Sequence, residues 1–257
     1  MDWCHVDKLS NRQFTKYCDL VYREAGINLT EEKRELLNTR IAKRLRTHDV
    51  GPDIYYGMIQ NDPEELKLFL DAVSTNHTFF FRESKSFSYL DKSHRDIWCA
   101  ASSSGEEPYS LAIYCLDKGF RPSITATDIS VTCLEKGNKG IYPIQSVANI
   151  PKHLLTAYFQ KGNGNFMDHV KVKDQVRKMV DFQRFNLIKD IPKSKPYDII
   201  FCRNVMIYFD NTTKENVVNK LVNVLRKDGY FIIGGAESLS GLNHPLKYIE
   251  PSVYLKL

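Results

Sequence analysis

Ala101-Ser102-Ser103-Ser104-Gly105-Glu106-Glu107-Pro108-Tyr109-Ser110 is the stretch that decides the fold. An apolar run, Ile97-Trp98-Cys99-Ala100-Ala101, leads into it, and a periodic one, Ser110-Leu111-Ala112-Ile113-Tyr114-Cys115-Leu116, leads out. A strand, a tight small-residue loop and a helix, in that order, make the ligand crevice of an open α/β sheet. A phosphate loop would add a lysine in a Gly-Lys-Ser/Thr sequence, which is missing. Two glutamates at the helix start would repel a phosphate and hold an ammonium group. The same carboxylates would also suit the positive end of the helix dipole, so the loop alone leaves both readings open.

Working outward, Ser123-Ile124-Thr125-Ala126-Thr127-Asp128 is a second strand, ending in a carboxylate 21 residues beyond Glu107. An acid closing the second strand of a nucleoside-binding sheet accepts both ribose hydroxyls with its two oxygens. Asp128 would otherwise cap a helix starting near Ser130. The loop and the strand-end acid together favour an aminoacyl nucleoside, such as S-adenosylmethionine. A third strand runs into Phe185-Asn186-Leu187, and a fourth, Tyr197-Asp198-Ile199-Ile200-Phe201-Cys202, runs into Arg203-Asn204-Val205-Met206-Ile207-Tyr208-Phe209. Asn186 has the donor and acceptor an adenine edge needs. Arg203 and Asn204 fall beside the cofactor, and Tyr208 faces the reacting methyl.

These segments, with Thr75-Asn76-His77-Thr78-Phe79-Phe80-Phe81-Arg82-Glu83 and Gly140-Ile141-Tyr142-Pro143, resemble the CheR family of chemotaxis receptor methyltransferases over nearly the whole chain. The resemblance implies a Rossmann-like S-adenosylmethionine-dependent methyltransferase sheet with an N-terminal all-helical domain and a small β insertion. It implies transfer of methyl groups to glutamate carboxylates of receptor cytoplasmic domains, leaving S-adenosylhomocysteine. Asn76, Thr78 and Arg82 match the family's cofactor-contact pattern, joining Glu107, Asp128, Asn186, Leu187, Arg203 and Asn204. The helix carrying Arg40, Lys43 and Arg44 faces the receptor in the family. Some members dock a receptor C-terminal peptide on the insertion through a loop with three glycines. Here Gly162 and Gly164 match and Asp168 replaces the third, which implies receptor methylation without that tether.

Carboxylate methylation is an in-line displacement on an ion already formed near pH 7, so no general base and no Ser-His-Asp set is needed. Arg82 and Tyr208 are the catalytic candidates: a guanidinium grips a carboxylate bidentately and a phenol hydrogen-bonds it. Arg82 would serve the cofactor's own carboxylate equally well, or pair with Glu83 or Asp71. His77, inside the Asn76–Arg82 motif, is the one histidine with a ligand contact to weigh against a packing or surface place. Arg40, Lys43 and Arg44 share a helix face, either a solvated face or a receptor contact.

The domain boundaries expected are 1–74 for the helical unit, 75–96 for a linker with the cofactor-contact motif, and 97–257 for the methyltransferase sheet. Strands at 97–101, 124–128, 180–185, 197–202 and 230–234 alternate with helices, giving a parallel sheet covered on both faces. The tail adds an antiparallel hairpin, and the insertion occupies about 141–179. In the helical unit Leu36, Leu37, Ile41 and Leu45 are expected inward. At 257 residues and 42% hydrophobic, the chain fills one α/β core and a small accessory unit.

A net charge of +5 suits an acidic partner without demanding nucleic acid. Six cysteines, with Cys99, Cys115 and Cys202 in apolar runs, form no C-x-x-C pair, so neither zinc nor disulfides are expected. No run nears the roughly 20 apolar residues of a membrane span, and residues 1–7 lack a signal pattern. The expectation is a cytoplasmic monomer without metal. Base-methylating enzymes of this fold place an Asn/Asp-Pro-Pro-Tyr/Phe segment after the fourth strand; Arg203-Asn204-Val205-Met206 stands there instead. A non-catalytic cofactor- or receptor-binding module is the remaining alternative.

Overall fold

The computed structural model describes residues 8–193 and 196–257. Cys4 and the opening residues 1–7 lie outside the described residues. Four helices come first: α1 (Asn11–Ala25), α2 (Arg34–His48), α3 (Pro52–Asn61) and α4 (Pro63–Val73). Ser10 and Gln13 close a capping box at the start of α1, and Gly26 ends it at φ 69°, where glycine avoids the Cβ penalty. Asp62 accepts from the N–H groups of Glu64 and Glu65 with Pro63 in the first helical position. Tyr17, Leu37, Ile41, Tyr55 and Phe69 are sealed in a core of their own. Leu36 corrects one expectation, standing 41% exposed. Leu37, Ile41 and Leu45 form the inward i, i+4, i+8 stripe of α2, and Leu36 projects to one side of it.

Ten strands follow: β1 (Asp96–Cys99), β2 (Ser123–Asp128), β3 (Ile141–Pro143), β4 (Phe159–Lys161), β5 (His169–Val172), β6 (Val180–Arg184), β7 (Tyr197–Phe201), β8 (Leu225–Ile232), β9 (Leu246–Glu250) and β10 (Val253–Lys256). Seven make one sheet in the order β6-β2-β1-β7-β8-β10-β9. The first five run parallel, and β10 is antiparallel to β8 and β9. Side chains alternate across β1. Ile97 and Cys99 join the core under α5 (Glu106–Asp117), and Trp98 joins the opposite one under α9 (Asn211–Val222). From β1 the chain moves outward to β2 and β6 and then returns to the other side of β1 at β7. The order reverses there, and the C-terminal ends of β2, β1 and β7 open a crevice.

β8 begins at Leu225, ahead of the expected start at Tyr230. Arg226-Lys227-Asp228-Gly229 form an irregular, bulge-like stretch within it. The register moves from Tyr197↔Leu225 to Ile199↔Tyr230, and Asp228 takes φ 59°. The insertion forms a separate antiparallel sheet, β3-β5-β4, with Val170 and Val172 buried. In its loop the left-handed residue is Gly164, at φ 54°, and Asp168 is not among the positive-φ residues. The backbone of Asp168 is therefore ordinary, with its carbonyl accepting from the Ile144 N–H at 2.8 Å.

Candidate active site

A cleft of about 900 Å3, part of it open to solvent, lies where the sheet order reverses. Asn76, Thr78, Arg82, Glu107, Asp128, Asn186, Leu187, Arg203, Asn204 and Tyr208, each expected from the sequence, all line it. Asp128 is 8% exposed at the end of β2. One carboxylate oxygen accepts from the Ser103 N–H at 2.8 Å and the other from the Ser130 N–H at 2.9 Å. Each oxygen keeps further acceptor capacity. The helix-cap alternative falls to Ser130, whose hydroxyl accepts from the Cys133 N–H at the start of α6 (Val131–Lys139). Burial raises the Asp128 pKa, against the pull of the Ser130 and Ser103 N–H groups.

The loop after β1 turns through left-handed conformations at Ser103 (φ 47°) and Gly105 (φ 94°). A Cβ at Gly105 would meet Phe182 and the Tyr142 hydroxyl at 2.9 Å. The pair of crevice glutamates is corrected to one. Glu106 turns away and is buried, accepting from the Ser104 hydroxyl at 2.7 Å with the Lys136 ammonium at 3.6 Å. Glu107 faces the cleft and accepts from Arg203 Nη1 at 2.7 Å. Burial pushes its pKa up, with Arg203 pulling the other way.

Arg203 is the electrostatic hinge of the site, its side chain only 1% exposed. Its Nη2 donates to the Arg82 carbonyl at 2.8 Å and to Glu83 at 3.0 Å. Glu83 also accepts from the Gly235 N–H at 2.8 Å and Asn204 Nδ2 at 3.3 Å. Burial opposes its ionisation, but the Gly235 N–H and Arg203 outweigh it and hold its pKa below the usual range. Glu83 and Asn204 both occupy left-handed backbone, at φ 49° and 58°, and such outliers cluster at functional sites.

Arg82 has a quarter of its side chain exposed. Nη1 donates to the His77 carbonyl at 3.0 Å, the guanidinium lies 5.6 Å from the Phe79 ring, and Nε is 3.6 Å from Glu83. Arg82 thus borders the cleft and Glu83 at once, while Asp71 accepts from Thr132 instead. His77, the one histidine with a ligand contact to weigh, lines the cleft. The Tyr208 ring carries the Lys33 ammonium 5.0 Å from its centroid, and its carbonyl accepts from the Asn28 N–H at 2.8 Å.

Two further expectations are corrected. The Asn186 amide does not offer an adenine edge both partners. Its oxygen accepts from the Ile188 and Lys189 N–H groups, and its nitrogen donates to the Glu24 carbonyl at 2.7 Å, tying α1 to the sheet. One amide hydrogen is left over. Nor do Arg40 and Arg44 form a solvated stripe. Arg40 closes the end of α4, donating to the Val73 and Ser74 carbonyls. Arg44 grips the buried Glu65 with two nitrogens, at 2.6 and 3.0 Å. Of the three, Lys43 is exposed and Arg40 and Arg44 are half-buried.

A nucleoside cofactor fits these residues on a further count. The Ser102 hydroxyl and Arg203 Nε are buried beside the cleft without a hydrogen-bond partner, whereas buried polar atoms are normally satisfied. Among the described residues no group of three or more His, Cys, Asp or Glu is placed to hold a metal ion, and no helix is long and apolar enough to cross a membrane. Glu83, Ser102 and Glu237 were missed as site residues by sequence reading. Ser102 lies in the crevice loop and Glu83 inside the Phe-Phe-Phe-Arg-Glu motif, whereas Glu237 left no signal.

The sheet order, the acid-ended second strand and a crevice acid at the first helix define an S-adenosylmethionine-dependent methyltransferase fold. Residues 76–255 match the family model described as CheR methyltransferase, SAM binding domain, and residues 12–74 match CheR methyltransferase, all-alpha domain. The chain belongs to the CheR methyltransferase family. It is 36% identical to the chemotaxis protein methyltransferase of Borreliella burgdorferi, covering 96% of this chain and 95% of that one. It is also 36% identical to the proteins of that name from Salmonella typhimurium (96% and 90% covered) and Escherichia coli (96% and 91%).

Proposed function

We propose that this chain transfers the methyl group of S-adenosylmethionine to glutamate side-chain carboxylates of chemotaxis receptor cytoplasmic domains, as a cytoplasmic monomer that uses no metal. The relatives' names supply the pathway, and the chemistry of the cleft supplies the reaction. The cofactor brings a methyl group on a positively charged sulfur. Asp128 takes the ribose hydroxyls with its remaining acceptor sites, as the strand-end acid of such sheets does. Glu107, steadied by Arg203, receives the cationic amino end. Asn76 and Thr78 line the same cleft, and Leu187 with Phe185 offers the base apolar surface.

Arg82 and Tyr208 grip the substrate glutamate and aim one oxygen along the line of displacement. No proton has to move, so rate comes from alignment and exclusion of water, together worth roughly 7–11 kcal/mol at best. The observation that carries this reading is one cleft lined together by Asp128, Glu107, Arg82 and Tyr208.

The test is to incubate the protein with methyl-labelled S-adenosylmethionine and a receptor cytoplasmic domain. Label released by base as methanol marks a carboxyl ester. Cofactor binding with no label on the receptor would leave a non-catalytic module. Label that resists base would mean another acceptor group.

A further inference from the structure

Glu237 lies in the loop after β8, outside every motif that marked the site in the sequence. Its carboxylate accepts four backbone N–H groups. One oxygen takes Gly234 at 2.6 Å and Asn204 at 2.9 Å; the other takes Met206 at 2.7 Å and Ile207 at 3.2 Å. Four donors fill all the lone-pair sites of a carboxylate, and charge-assisted bonds of this kind are the stronger class. Gly234 makes the approach possible, since a Cβ there would meet Asn204 Nδ2 at 2.4 Å and Glu237 itself at 2.9 Å.

The segment held in this way carries three residues of the proposed site. Arg203 precedes the left-handed Asn204, and a short 3-10 turn, Met206–Tyr208, delivers Tyr208 to the cleft. Arg203 has independent anchors in Glu107 and Glu83. The N–H groups of the turn just before Tyr208 rest on Glu237.

We infer that Glu237 is a positioning residue for methyl transfer, whose half-buried carboxylate templates the β7–α9 segment and sets where Tyr208 meets the substrate carboxylate. The inference rests on the proposed function, because it assigns Tyr208 a task in that reaction. Glu237 touches neither reactant; it acts through the backbone. Loss of the carboxylate leaves cofactor binding to Asp128, Glu107 and the doubly anchored Arg203, leaves Asn204 its side-chain anchor on Glu83, and frees the turn before Tyr208.

The experiment combines Glu237→Gln with Tyr208→Phe in the full-length chain. S-adenosylmethionine affinity is read by calorimetry, folding by thermal melting and transfer by single-turnover labelling of a receptor cytoplasmic domain. Glu237→Gln should slow transfer roughly tenfold to a hundredfold, the scale of a misplaced reacting group, with cofactor Kd changed by less than about threefold. In the Tyr208→Phe background the same change should add little, because both act on one contact.

Unaltered transfer in Glu237→Gln, fully multiplicative losses in the double variant, or cofactor affinity falling in step with rate would each overturn the inference. So would failure of Glu237→Gln to fold, if Glu237→Asp, which keeps the charge one methylene short, folded and transferred at the wild-type rate. A wild-type protein that transfers no methyl would instead sink the proposed function itself.

Discussion

Two of the molecule's buried ion-pair systems look alike in composition and differ in what they leave open. In the helical unit, Glu65 is met by Arg44, the Tyr55 hydroxyl and His48. Burial works against its charge, but Arg44 and Tyr55 outweigh it and hold its pKa below the usual carboxylate range. In the cleft, Arg203 bridges Glu107 and Glu83, yet burial leaves Glu107 and Asp128 with raised pKa values and Arg203 Nε has no partner. A network that closes on itself is architecture. One that keeps spare acceptor capacity on its acids and an unmet donor beside a cleft is waiting for a charged, hydroxyl-bearing ligand.

The largest test breaks the closed network. Arg44→Ala leaves the carboxylate of Glu65 buried without its cation, and such losses cost about 3 kcal/mol or more. Denaturant unfolding of the helical unit should shift accordingly while cofactor affinity holds. A change under about 0.5 kcal/mol, the scale of a surface pair, would mean that Glu65 is not held as described. Next in size is Arg82→Ala, for which turnover should fall roughly a hundredfold, as for loss of an oriented charge contact, with a smaller loss of cofactor affinity. Equal losses in both would reassign Arg82 to the cofactor's carboxylate.

Glu65 and the cleft acids Asp128 and Glu107 should also answer pH with opposite signs. Glu65, lowered on folding, adds stability above its unfolded pKa that disappears as pH falls through the folded one. Asp128 and Glu107, raised on folding, add stability on the acid side that is lost as pH rises through their folded values. Binding of an amino-bearing cofactor should therefore tighten as pH climbs from the ordinary carboxylate range, as the Glu107 ion becomes available. Calorimetry at several pH values reads this directly, and affinity that weakens with rising pH would contradict it. The smallest effect belongs to Lys43→Glu. The exposed charge should raise the apparent receptor KM at low salt and lose influence at high salt, being screened over ~10 Å at 0.1 M. No change at low salt would remove α2 from the receptor surface.

How much of this was legible in the sequence follows the distance over which each feature is determined. The Ser-x-Gly-Glu-Glu loop and Asp128 are local: strand, turn and acid lie within a few residues, so the crevice was readable. The spacing of Arg40, Lys43 and Arg44 gave a shared helix face and nothing about its occupants. Glu65 and the Val73 and Ser74 carbonyls that take up the guanidinium groups come from α4, placed by packing alone. Asn186 was misread for the same reason, its amide being claimed by a carbonyl 162 residues away. Glu237 had no signature, because accepting backbone N–H groups makes no demand on the side chains of its partners. The irregular start of β8 was hidden by its charged residues.

The central claim, that the open network is the cofactor site and the closed one is not, is tested most directly by calorimetric titration of S-adenosylmethionine into the wild-type chain, Asp128→Asn and Arg44→Ala. Loss of a hydrogen bond to a charged acceptor is worth ~1.5–3 kcal/mol, so Asp128→Asn should weaken binding roughly tenfold or more. Arg44→Ala, measured where it remains folded, should bind like the wild type. Equal affinity for Asp128→Asn and wild type, or equal loss in both variants, would contradict the account.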